Sequence, residues 1–218
     1  SLVGSEMCIR DRDYHARAAI AATVDVILSR SITGNSIGAK LTIPQGTLFT
    51  DSSGNSWLSA RDVTWYSNVT TCKVPIIQHE KYTASALNNM VIPTGDRVII
   101  QLGTLPNGKY YEQGSMSLQI GGETWVLVDT FAKSKPTDKH FMVSVDEALN
   151  PYIMFGDGTF GKKPAAGAKI TNVVFYLTNG TQGNVKSNTI TSVPSVISSS
   201  ITDATVSNAY DAGGGSNY

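Results

Sequence analysis

Apolar and polar positions alternate along most of this chain, and the alternation has the period of strands. In TVDVILS, residues 23–29, β-branched and apolar side chains recur at every second position, which predicts a strand with one buried face. The same period or composition marks residues 39–43, 48–50, 57–59, 63–66, 72–78, 97–102, 115–120, 124–129, 140–145, 153–155 and 170–177. The breaks between them are turn formers: DSSGNS at 51–56, LPNGK at 105–109, GGE at 121–123 and KSKPTDK at 133–139. At IPQGT, residues 43–47, Pro44 suits the second and Gly46 the fourth position of a type I turn. Residues 79–90 are polar and read as loop, while residues 15–22 hold the one candidate helix end. Helical periodicity does not persist beyond two turns, so the fold expected is all-β.

The tail changes character. Residues 187–200 are rich in Ser, Thr, Val and Ile, and residues 209–218 are glycine-rich without a closing cap or turn, which suits a linker or a cut. At the other end, SLVGSEMCIRDR has neither a basic leader nor a long apolar segment and resembles translated sequencing-adapter read-through. Native sequence is then expected to begin near Asp13, with residues 1–13 a non-native leader that takes Cys8 with it.

Charge narrows the partners. The 218 residues carry 17 basic and 17 acidic side chains, so no net field draws nucleic acid or an anionic membrane surface, and neither is an expected partner. No apolar run approaches the roughly 20 residues that span a bilayer. Cys72, in the strand-like TTCKVPII, reads as a small half-buried hydrophobe, and one cysteine makes no disulfide framework.

Candidate chemistry concentrates in FGDGTFGKKPAAG, residues 155–167, where Gly156, Gly158 and Gly161 spell the G-x-G-x-x-G of a dinucleotide loop. Such a loop needs a helix behind it to receive the pyrophosphate, and Pro164 and Gly167 leave no room for one before the strand at Ile170. Calcium would need several oxygen ligands, and the acidic residues closest to Asp157 are Asp146 and Glu147. The expectation is a tight connection in which the three glycines take positive φ and Asp157 accepts backbone amides, without metal or cofactor. The histidines at 15, 79 and 140 have no nucleophile elbow around them, and no carboxylate pair recommends itself for glycoside hydrolysis. The chain is not expected to be an enzyme.

Several segments resemble one family. IPQGTLFT at 43–50 is similar to its "IPAGT-x-F" segment, and FGDGTFG with Pro164 and Gly167 to its "FGDG-x-x-G-x-x-P-x-x-G" segment. Gly183-Asn184-Val185 ahead of Thr189-Ile190-Thr191 resembles its "GNV-x-x-x-x-IT" stretch, and Val206-Ser207-Asn208 with Gly213-Gly214-Gly215 its "VTN…A-x-GG" tail. The family is the baseplate J-like proteins of contractile-tailed bacteriophages, including the T4-type baseplate wedge subunits.

The resemblance implies a small β-barrel or sandwich from residues 14–80 and 181–210, with a second β domain, residues 81–180, inserted and carrying the FGDG turn. It implies that residues 211–218 lead as a linker towards further domains. It marks Pro44, Gly46, Gly156, Asp157, Gly158, Gly161, Pro164, Gly167, Gly183 and Asn184 as structural turn residues. It further implies a virion protein, made in the host cytoplasm, which assembles with itself, other wedge subunits and the tail hub or sheath-initiating proteins. A reading from another class is a carbohydrate-binding or adhesin module, for which Trp57, Trp65, Tyr110, Tyr111 and Trp125 are the candidate stacking rings.

Overall fold

The computed structural model describes residues 17–32 and 38–218. The expectations for residues 1–13, including Cys8, for His15 and for most of the loop at 34–38 lie outside the described residues. The chain is all-β. It divides into two compact units, one from Ile20–Glu80 and Thr178–Asn217, the other from Lys81–Leu177 with the described residues before Ile20 and with Tyr218.

The discontinuous unit is built around strand β1 (Thr23–Ser29). The chain continues through β2 (Leu41–Ile43), β3 (Leu48–Thr50), β4 (Ser56–Ser59), β5 (Val63–Trp65) and β6 (Thr71–Ile77), and the last strand, β16 (Thr205–Ser207), returns to the same unit. Five of these form one sheet in the order β16-β1-β6-β4-β3, and β2 pairs with β5. β1 runs antiparallel to β6 from Thr23↔Ile77 to Ser29↔Thr71, and on its other side Ile27 faces Ser207. The period-2 pattern puts Val26 and Leu28 of β1 and Val74 and Ile76 of β6 into one core with Phe49, Trp57 and Trp65. Pro75 sits in a central strand, where a missing N–H is normally costly. It is tolerated because the β4 ladder ends beside it at Ser59↔Ile76, and its carbonyl accepts the Ala60 amide at 2.9 Å.

The tail belongs to the same unit. Ile190, Ile197 and Ile201 are buried in this core, Ile197 from a single helical turn at Ser195–Ser198, so residues 187–200 pack within the unit to which residues 181–210 were assigned. Apolar side chains are sparse in this Ser/Thr-rich stretch, yet these isoleucines are placed inward. Of residues 211–218, expected as a linker, Gly213 bridges Thr23 and Ser216 bridges Ile20, so this stretch is tied down on the unit. Ala18 and Ala19 fall in the other unit, which moves the expected start of this one from residue 14 to Ile20.

The described residues of the central unit form one sheet of nine strands: β7 (Glu80–Thr83), β8 (Met90–Val91), β9 (Ile99–Gln101), β10 (Tyr110–Tyr111), β11 (Ser117–Ile120), β12 (Glu123–Leu127), β13 (His140–Val145), β14 (Pro151–Phe155) and β15 (Lys169–Thr178). Their order is β10-β15-β11-β12-β13-β14-β9, with β7 and β8 also on β15. Its core gathers Phe141, Ile153, Phe155, Ile170 and Phe175. Residues 79–90, read as loop, hold β7, a 3-10 turn at Ser85–Leu87 and the start of β8. Their polar composition concealed Tyr82, whose ring lies 5.0 Å from that of Phe175. β12 and β13 are parallel, so residues 128–139 are a crossover rather than the plain turn expected from KSKPTDK.

Candidate functional site

The FGDG segment follows directly from β14, whose last ring, Phe155, meets Trp125 edge-on at 5.6 Å. Gly158, Gly161 and Gly167 take positive φ of 94°, 89° and 88°, but Gly156 does not, contrary to expectation. Gly156 is required for space instead. A Cβ there would lie 2.3 Å from both the carbonyl carbon and the oxygen of Gly161, closer than atoms approach. The segment closes on itself through Gly158 N–H donating to Gly161 O at 3.0 Å. Asp157 Oδ1 accepts the amides of Thr159 at 2.8 Å and Phe160 at 2.9 Å. Those two bonds, that from Phe160 first, hold its carboxyl below the usual carboxylate value, with Arg97 adding a smaller pull.

The turn rests on the crossover between β12 and β13. The Phe131 ring would be 3.2 Å from a Cβ on Gly161, and Lys162 N–H donates to Asp138 O at 2.8 Å. Asp138 Oδ2 accepts the Lys135 amide, and Ser134 Oγ pairs with His140 Nδ1 at 2.7 Å. Pro164 is buried, and Gly167 N–H reaches Ile92 O at 2.9 Å. No helix follows the glycines, since residues 162–168 are irregular up to β15, so the anion-binding geometry of a dinucleotide loop is not formed. Among the described residues, no three His, Cys, Asp or Glu side chains group as a metal site. None of the helices there is long and apolar enough to cross a membrane.

In the discontinuous unit the remaining marked residues also shape the backbone. The IPQGT turn is shifted by one residue from its sequence reading: Pro44 takes the first position, Gly46 the third with φ of 82°, and Thr47 N–H donates to Pro44 O at 3.2 Å. Positive φ at that position is the mark of a type II turn. Thr47 Oγ1 and Ser59 Oγ both donate to Pro44 O at 2.7 Å, tying the turn to β4. Gly183 ends a 3-10 turn, Gly180–Gly183, and its Cα faces Ala22 and Gln78 so closely that a Cβ would lie 3.1 Å from each. Asn184 then pairs with Gly215: its Nδ2 donates to Gly215 O at 3.0 Å, and Gly215 N–H donates to its Oδ1 at 2.8 Å. Both hydrogen-bonding edges of one side-chain amide are used on one backbone residue.

Sequence reasoning missed three buried polar hubs. Asp51 Oδ1 accepts the amides of Ser53 and Asn55, and its Oδ2 accepts Asn55 Nδ2 and Trp57 Nε1. Asn208 is fully buried; its Oδ1 accepts the amides of Thr189 and Ile190, and its Nδ2 donates to the carbonyls of Lys186 and Tyr210. Gln78 bonds to Ser56, Thr178 and Asn179. An Asx signal, Asp51 followed by Ser-Ser-Gly-Asn, could have pointed to the first. Gln78 and, Tyr210 apart, Asn208 bond residues far away in sequence, and nothing local marks their burial.

The candidate stacking rings are core. Trp57, Trp65, Tyr111 and Trp125 are 0%, 1%, 1% and 5% exposed, and Tyr110 is half-buried, so these five residues do not present a sugar-binding platform. Comparison of the sequence with protein-family models and with curated protein sequences gives no match.

Proposed function

We propose that this chain is a structural component of a phage tail baseplate wedge, a virion protein that assembles with copies of itself and with other wedge subunits around the tail hub. The observation that carries the reading is the double hydrogen bond between Asn184 and Gly215. It joins two segments that resemble the baseplate J-like pattern separately, the "GNV" stretch and the "GG" tail. The segments that carry the resemblance shape the backbone, through a type II turn at Gly46, a space-limited turn at Gly156 and a side-chain-to-backbone pair at Asn184. Residues placed in this way suit a rigid building block better than a reaction centre. No cofactor or chemical step belongs to the proposal. The burial of the candidate rings favours it over the carbohydrate-binding reading, which has no observation of its own in support.

Assembly is the test. The chain is mixed with wedge, hub and sheath-initiating proteins encoded beside it, and complexes are resolved by size-exclusion chromatography with light scattering. Co-elution with at least one wedge subunit is expected. Elution as an isolated monomer beside every one of them would overturn the reading.

A further inference from the structure

The last strap of the discontinuous unit is held in an unusual way. Residues 211–217 cross the surface with Asp211, Gly213 and Gly214 exposed, and Ala212 is the one buried side chain among them. They are held by main-chain bonds and by a few side-chain amides and a carboxylate. Thr23 N–H donates to Gly213 O at 2.9 Å and Gly213 N–H returns to Thr23 O; Ile20 N–H donates to Ser216 O at 2.8 Å and Ser216 N–H to Ile20 O at 2.9 Å. Asn184 pairs with both polar groups of Gly215, and Asn217 Oδ1 accepts the Thr181 amide at 2.9 Å. The groove beneath is selective by shape, because a Cβ on Gly215 would lie 2.4 Å from Gly180 O, 2.8 Å from Asn184 Oδ1 and 3.2 Å from the Ala22 Cβ. Only glycine fits at that point.

The strap also has a natural pivot. Asn208 is fully buried and its side chain is fastened by four hydrogen bonds, whereas Tyr210, two residues on, is 80% exposed. Beyond it, Asp211 holds the Ser187 amide and an exposed pair with Lys186 at 3.5 Å. Of the strap's own side chains only that of Ala212 leaves the core on release, and the cost falls mainly on hydrogen bonds that water replaces.

We propose that the groove lined by Ile20, Ala22, Thr23, Thr181 and Asn184 is a strand-acceptor site with an absolute preference for glycine opposite Asn184. It is filled in cis by residues 211–217 and takes the same segment from a second copy of the chain when its own strap opens. This is strand addition: main-chain bonds supply affinity and one steric checkpoint supplies specificity. The groove's selectivity stands independently of the assembly proposed above.

Hydrogen exchange on the full chain tests it, read at the Ile20, Thr23 and Thr181 amides, with Val26 and Leu28 in β1 as internal controls. Gly215→Ala is expected to speed exchange at the first three by about tenfold or more and to leave the controls unchanged. Asn184→Ala, which removes the amide pair without a clash, is expected to do the same, and carries the test if the first variant does not fold. Adding a synthetic peptide of residues 210–218 to either variant is expected to restore protection for Gly215→Ala but not for Asn184→Ala. A peptide with alanine at 215 is expected to restore neither. Unchanged exchange in both variants, or equal rescue of Gly215→Ala by the two peptides, would overturn the proposal.

Discussion

Gly156 and Gly161 touch backbone to backbone: the space where a Cβ of Gly156 would stand is occupied by the carbonyl group of Gly161, 2.3 Å away. Glycine is required here by contact and not by torsion, which separates this position from its neighbour Gly158, where φ is 94° and the space beside the Cα is open. Gly156→Ala is predicted to cost at least about 2 kcal/mol, because the turn must open to admit the methyl. Gly158→Ala is predicted to cost about 1–2 kcal/mol, the ordinary penalty of a left-handed backbone. Urea unfolding midpoints of the two variants check the order.

Asp157 makes a prediction about pH. Its folded pKa is depressed by the Phe160 and Thr159 amides, so its contribution to stability is present above the unfolded carboxylate value and is lost as pH falls through the folded one. The gap in thermal midpoint between the native chain and Asp157→Ala is therefore predicted to hold from neutral pH to about 5 and to close below about 4. Adding calcium is predicted to leave the midpoint where it is; a rise abolished by Asp157→Ala would establish the metal loop that the turn's hydrogen bonding argues against.

Tyr111 is the counter-example to well-satisfied burial. Its hydroxyl is buried without a hydrogen-bond partner among the described residues, and its ring meets Phe175 at 5.5 Å. Burial pushes its pKa up to about 12; Ser115 and Met116 oppose the shift only in part, and neither reaches bonding geometry with the hydroxyl. Tyr111→Phe is predicted to be neutral or stabilising by up to about 1 kcal/mol, since it removes a polar group that is desolvated and gains no bond. Because the folded pKa is raised, stability is predicted to fall as pH climbs from about 10 to about 12, and this variant to lose that component of the fall.

Trp57 is fully buried, and its Nε1 supplies one of the four donors that hold the buried Asp51 carboxylate, at 2.9 Å. Trp57→Phe keeps an aromatic ring but leaves one lone pair of a buried charge without its donor. A loss of about 1.5–3 kcal/mol is predicted, as for hydrogen bonds to charged groups. Chemical denaturation of this variant beside Trp65→Phe, which removes a bond to a neutral carbonyl, that of Val69, is expected to show the larger loss at Trp57.

What could be read from the sequence was the set of strands whose side chains alternate. β1 and β3 lie where TVDVILS and LFT place them, because a half-buried strand writes its burial directly into its residues. β7 was not legible: its exposed positions are Lys81 and Thr83, and only Tyr82 betrays the inner face. The parallel register of β12 and β13 was equally silent, since KSKPTDK looks the same in a turn and in a crossover. At the candidate site the local chemistry of Asp157 was legible, but the need for Gly156 and Gly215 was not. Both are set by backbone and side-chain atoms beyond their immediate neighbours, and a glycine does not announce whether it serves torsion or space. The same distance effect hid Asn208, which bonds residues about twenty positions upstream.

As the proposed building block of a contractile-tail baseplate, the chain has a definite place in the particle. Antibody labelling of intact phage particles that encode the chain, viewed by electron microscopy, is predicted to mark the distal end of the tail, at the baseplate. Label on the capsid or along the fibres alone, or particles that contain none of the chain by mass spectrometry, would overturn the proposed baseplate role.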